Sequence, residues 1–126
     1  KTFHAVTAAA LIPELYPEFA EKEIIGCVRW HTTAREGISI PEAIVYLADY
    51  IDMSRKFEDC VRLRAIFWDA EPEKMSDSER EAHLTKTLIT SFDMTLASLI
   101  SEGAPISDDT FKARNSLIVS LCGEVN

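Results

Sequence analysis

The sequence predicts a single all-α domain over residues 1–126, and three observations carry that expectation. Apolar residues recur at spacings of three and four, no stretch alternates as a half-buried strand does, and Pro, Gly and capping Ser residues punctuate the chain at helix-length intervals. Apolar residues make up 47% and charged residues 27%, the composition of an ordinary globular chain long enough to bury one core.

Taken in order, Thr2 to about Ile12 is Ala-rich with high helix propensity, and Pro13 is expected to end it. Pro17 suits a first helical turn, and Glu18 to about Trp30 repeats apolar residues at Phe19, Ile24, Cys27 and Val28. Arg35 to Ile38, with Gly37, reads as a polar turn. Ser39 can cap the next helix, with Pro41 in its first turn and Glu42 at the positive end of the dipole. That helix holds Ile44, Val45, Tyr46, Leu47, Ala48, Tyr50 and Ile51. Apolar nearly all round, it is predicted to be the central, buried one.

Glu58 to about Trp68 forms the following helix, broken by Ala70-Glu71-Pro72-Glu73. Ser76 and Glu79 make a capping box that opens a long helix with Leu84, Leu88, Phe92, Leu96 and Ile100 in one stripe. Gly103 and Pro105 close it. Ser107 caps a last helix, with Gly123 expected beyond its end.

Lys plus Arg number 13 against 21 Asp plus Glu, so the formal net charge is −8. This balance offers no footprint for nucleic acid and argues against an anionic membrane surface. No segment reaches the ~18 consecutive apolar residues of a membrane span. Cys27, Cys60 and Cys122 are odd in number and in no C-x-x-C spacing, which reads as three reduced thiols in a cytoplasmic protein. The chain opens on Lys1 in an apolar helical pattern without Met or leader, and is expected to be a truncated or processed start. The sequence has no P-loop, no Gly-rich dinucleotide fingerprint, no H-E-x-x-H and no G-x-S-x-G elbow. Cys27 lies inside a predicted helix among apolar neighbours, a poor setting for a nucleophile.

The residues that could carry chemistry are His4, His31 and Asp49. His83 reads as a solvated surface residue beside Arg80 and Lys86. Taken alone, His4 and His31 are more commonly core or capping groups than ligands. Asp49 changes the balance: inside an apolar helix its carboxylate is predicted to be buried, and a buried charge needs a cation, a proton or many donors. Two imidazoles and a carboxylate are ligand types for Fe, Mn or Zn. Asp52 shares a helix face with Asp49, and Arg55 can bridge to either. Thr32 and Thr33 offer hydroxyls, and Arg35 a planar fork suited to phosphate, although an ordinary polar turn has the same composition.

His31-Thr32-Thr33 through Ser39, then Ile44 to Asp52 and Arg55, resembles the YqeK-type HD-domain phosphohydrolases, bacterial enzymes that cleave diadenosine tetraphosphate symmetrically to two ADP. Phe3-His4-Ala5 looks like the family's Leu-His-Gly helix start, and Thr110 with Ala113-Arg114-Asn115 like its C-terminal helix. The resemblance implies an HD-domain-like helical bundle. It implies His4, His31 and Asp49 as ligands of a dinuclear divalent-metal centre, iron with Mn or Mg as alternatives. Thr32, Thr33, Arg35 and Arg55 then fall at positions for phosphate contact.

Departures are Ala34 and Ala5 for glycines, and Asp52-Met53 for Glu-Pro. The family's first histidine and its adjacent His-Asp dyad are not in this chain, so the bundle is expected to be incomplete at its N-terminus and to hold about half of the ligands. The expected function is a cytoplasmic, metal-dependent nucleotide phosphohydrolase with a small-molecule nucleotide substrate and no nucleic-acid or membrane partner. A homodimer stays open. The alternatives are a non-catalytic HD-derived binding module, or an HD hydrolase of another nucleotide.

Overall fold

In the computed structural model, residues 3–125 are described, and among them every regular element is helical. Six α-helices run α1 Phe3–Leu15, α2 Lys22–Trp30, α3 Ile40–Ile51, α4 Glu58–Asp69, α5 Asp77–Ser101 and α6 Asp108–Val125, with short 3₁₀ turns at Pro17–Phe19 and Pro72–Lys74. α1 packs on α2, α2 on α3, and α3 on both α4 and α5. α5 completes the bundle against α4 and α6.

Both capping boxes form. The hydroxyls of Ser39 and Ser76 accept the backbone N–H of Glu42 and Glu79, and each glutamate reaches back to its serine's N–H. The core joins Ala43, Tyr46, Leu47 and Ile51 of α3 to Leu63 of α4, Leu88 and Phe92 of α5, and Ala113 of α6. The rings of Tyr46 and Phe92 meet at a centroid distance of 5.2 Å. Arg114 of α6 donates to Asp93 of α5 at the edge of this packing.

Several boundaries differ from the sequence expectation. Pro13 lies inside the last turn of α1 rather than beyond it, and the i→i−4 pattern carries on past it with Tyr16 N–H on Ile12 O at 2.8 Å. Thr2, the expected start of this helix, lies outside the described residues. Pro17–Phe19 closes as a separate 3₁₀ turn through i→i+3 bonds, so α2 begins at Lys22 and not at Glu18. Gly123 is part of α6. Ile100, the last residue of the α5 stripe, is 65% exposed, since the helix outruns the core there.

His83 is half-buried. Its Nε2 lies 2.9 Å from Phe67 O and its ring stacks on Phe67, tying α5 to α4.

The larger correction concerns α3. It packs against α2, α4 and α5, yet Ile44, Val45, Ala48 and Asp49 are exposed while Ala43, Tyr46, Leu47 and Ile51 are buried. One face enters the core and the other is bare. α2, beside it, buries no residue fully.

Candidate functional site

α1 packs on α2, and the residues that α1 buries are the small Ala5 and Ala9. This contact brings His4 to His31, the residue that caps the C-terminus of α2. The two Nε2 atoms stand 3.3 Å apart, with ring centroids at 5.2 Å and planes at 67°. His31 Nδ1–H donates to Val28 O at 2.6 Å. That bond fixes the tautomer and leaves the Nε2 lone pair of His31 directed at His4.

After His31 the chain turns sharply. Ala34 adopts φ +60° and Gly37 φ +67°. Ala34 is fully buried in a left-handed conformation that glycine adopts without strain, which explains why the resembling family has glycine there. The Thr33 hydroxyl donates to Ala34 O, and Thr33 O accepts from the Thr110 hydroxyl of α6, both at 2.9 Å. Thr33 is therefore buried against α6. Thr32 is half-buried; its hydroxyl oxygen is enclosed without a protein partner, and the residue lines a neighbouring cleft.

Arg35 is committed elsewhere. Its Nε lies 3.0 Å and 3.1 Å from the two Glu42 oxygens, and Nη2 lies 2.7 Å from Oε1. Glu42 is 2% exposed. Burial pushes its carboxyl upward, but Arg35 and the backbone and hydroxyl of Ser39 outweigh this and hold it below the usual range. Arg35 pins the turn onto α3 and does not line the cleft.

That cleft, of about 630 Å³, lies between α3, α4 and α5. It is lined by His31, Thr32, Asp49, Arg55 and Phe57, and by Tyr46, Tyr50 and Leu99 among others. Asp49 is not the buried charge expected from the sequence: it sits on the uncovered side of α3, with Arg55 Nη2 at 2.8 Å from its Oδ1. Asp52 bonds the backbone and hydroxyl of Ser54, which lower its pKa. Burial raises the Tyr46 phenol to about 12, so it acts as a neutral hydrogen-bonding group. Burial likewise raises the Cys60 and Cys27 thiols, which argues against a thiolate nucleophile at either.

The structure thus brings His4 to His31, and sets His31, Thr32, Asp49 and Arg55 around one cleft. It does not bring Thr33 or Arg35 there. Among the described residues, no group of three or more His, Cys, Asp or Glu side chains is gathered closely enough to hold a metal ion. The Nε2 atoms of His4 and His31 stand at a separation that an ion could bridge. Two imidazole nitrogens on a tetrahedral ion at ~2.0–2.1 Å stand about 3.3–3.4 Å apart.

Sequence reasoning missed Arg64. Its Nε donates to Ile51 O at 2.9 Å, and Nη2 to Asp52 O and Arg55 O at 2.6 and 2.8 Å. A basic residue within a helix turn of the apolar Leu63 gives no sign that it caps a different helix.

No protein-family profile matches the chain. Among curated proteins it is similar to the symmetrical bis(5'-nucleosyl)-tetraphosphatase of Bacillus subtilis, 28% identical over 116 residues, covering 92% of this chain and 55% of that protein. A second, from Halalkalibacterium halodurans, is 27% identical over 99 residues, covering 79% and 46%. The chain spans about half the length of the curated relatives it matches. Among solved structures it resembles a predicted HD superfamily hydrolase involved in NAD metabolism from Clostridium acetobutylicum, with a TM-score of 0.74 and 28% identity, over 93% of this chain and 55% of that one. No helix among the described residues is long and apolar enough to cross a membrane. In sequence the chain is a relative of the symmetrical bis(5'-nucleosyl)-tetraphosphatases, and in fold it is a relative of an HD superfamily hydrolase.

Proposed function

We propose that this chain forms part of a divalent-metal-dependent phosphohydrolase that splits diadenosine tetraphosphate into two ADP. The observation that carries the reading is the pair of facing Nε2 atoms of His4 and His31, 3.3 Å apart, with the His31 tautomer set by Val28 O. The relatives' names supply the substrate class.

His4 and His31 would hold the ion through Nε2, and Asp49, now paired with Arg55, would offer a carboxylate on the same cleft as His31. Iron in a two-ion centre, with manganese or magnesium as substitutes, suits this donor set together with ligands beyond it. A divalent ion at this place supplies Lewis-acid charge and makes hydroxide available from water near neutral pH. Arg55, its Nη2 released from the Asp49 carboxylate while its Nε stays on Asp49 O, would bind phosphate oxygens. Thr32 lines the same cleft, and a rotation of its enclosed, unpartnered hydroxyl would offer a donor to a phosphate oxygen. Tyr46, also in the lining, is neutral at working pH and adds no negative charge to the cleft.

The test is chromatography of products from diadenosine tetraphosphate, incubated with the protein that carries this chain and Fe²⁺, Mn²⁺ or Mg²⁺. ADP as sole nucleotide product, and a loss of turnover of about a hundredfold or more in His31→Ala and Asp49→Ala, is the expected result. Release of ATP and AMP contradicts the reading, and so does turnover unchanged in both variants.

A further inference from the structure

The connection between α3 and α4 is braced more heavily than a surface loop requires. Asp52 Oδ1 accepts from the backbone N–H of Ser54 at 2.8 Å and from the Ser54 hydroxyl. The Arg64 guanidinium holds the carbonyls of Ile51, Asp52 and Arg55 together, and Lys56 Nζ donates to Met53 O at 3.2 Å. Arg55 is anchored at the base of the loop by its Nε on Asp49 O at 3.1 Å. A loop tied at this many points is set in place before any ligand arrives.

At the end of this fixed loop stands Phe57, 74% exposed. A phenyl ring left in water forgoes the burial that most aromatic side chains find, and here the loop holds it out rather than folding it in. Phe57 lines the same cleft as Arg55, two residues earlier in the chain, and Tyr50 and Leu99 line it too. A guanidinium and a held aromatic face in one cleft is chemistry for a ligand that is an anion at one end and a flat ring at the other. A nucleotide is such a ligand. A free phosphate uses only the guanidinium.

We propose that Phe57 is the stacking platform for a nucleobase, binding one base of the nucleotide whose phosphates meet Arg55. This rests on the reading of the cleft as a nucleotide-phosphate site. Phe57 is a specificity residue, touching the base and not the reacting phosphate. Arg64 is a positioning residue that acts through the loop.

Calorimetric titration of the protein with ADP and with inorganic pyrophosphate tests it, in the wild type, Phe57→Ala and Phe57→Trp. Phe57→Ala is expected to weaken ADP on the order of tenfold, the usual effect of removing one stacking partner. Pyrophosphate affinity stays within about twofold, and Phe57→Trp retains ADP because indole offers an equal or larger face. The ring is exposed, so neither substitution endangers the fold.

Equal weakening of both ligands in Phe57→Ala overturns the proposal, since the residue then acts on the loop and not on a base. No change for either ligand also overturns it. If the wild type binds pyrophosphate as tightly as ADP, the base platform falls and the phosphate reading stands. If it binds neither, both fall.

Discussion

Gly26 of α2 and Glu42 of α3 are in contact: a β-carbon at Gly26 would stand 3.0 Å from Glu42 Oε2. That oxygen belongs to the carboxylate that Arg35 and Ser39 fix from the other side. The glycine therefore makes room for a buried charge, and the charge fastens the turn after His31.

Substitution at this contact is predicted to reverse the ordinary helix rule. Alanine for glycine inside a helix normally stabilises by about 1 kcal/mol. Gly26→Ala instead destabilises by about 1 kcal/mol net, because the overpacking cost of ~1–3 kcal/mol falls on a carboxylate with no freedom to move. Gly123→Ala, with no atom within 4 Å of the added carbon, is the matched control and stabilises by up to about 1 kcal/mol. Urea unfolding of both variants separates the two signs.

The same carboxylate sets a pH dependence. Glu42 has a folded pKa below its unfolded value of ~4.3, so its contribution is complete above that value. The contribution is lost as the pH falls through the lower folded value. Glu42→Gln removes this part of the acid-side slope and costs about 2 kcal/mol at pH 7, from the lost ion pair and weakened cap. Unfolding midpoints measured from pH 7 to pH 3 check both the slope and the offset. A parallel displacement of the two curves at every pH assigns the acid sensitivity to other groups.

Much of the fold was legible in the residues. The two Ser-x-x-Glu boxes, the Ala70–Glu73 break and the Leu88–Phe92–Leu96 stripe each form as the sequence indicates, because capping, backbone restriction and helical period are local properties. The approach of His31 to His4 is a tertiary fact, and only the family resemblance pointed to it. Asp49 was misplaced because an apolar run says how much surface a helix must hide, not how much of it the chain covers. Ile44, Val45 and Ala48 beside Asp49 are exposed for the same reason. Arg35 and Glu42 are seven apart across a turn, and no spacing rule announces that they pair.

Arg64 is predicted to matter beyond its own helix. Arg64→Ala leaves the carbonyls of Ile51, Asp52 and Arg55 to water and costs about 1–2 kcal/mol. Arg64→Lys recovers little of this, since one ammonium lacks the fork that spans three carbonyls. Chemical denaturation gives the cost. Amide hydrogen exchange over residues 52–57, faster in both variants than in the wild type, locates it in the loop. Unchanged exchange there contradicts the bracing role.

The facing imidazoles of His4 and His31 are most directly tested by titrating the protein with Co²⁺ and Mn²⁺, followed by calorimetry and visible absorption. Stoichiometric binding is predicted, with affinity falling at least tenfold in each of His4→Ala and His31→Ala, while His83→Ala behaves as the wild type. Stoichiometric binding that survives both His4→Ala and His31→Ala unchanged, or no binding by the wild type, would contradict the account.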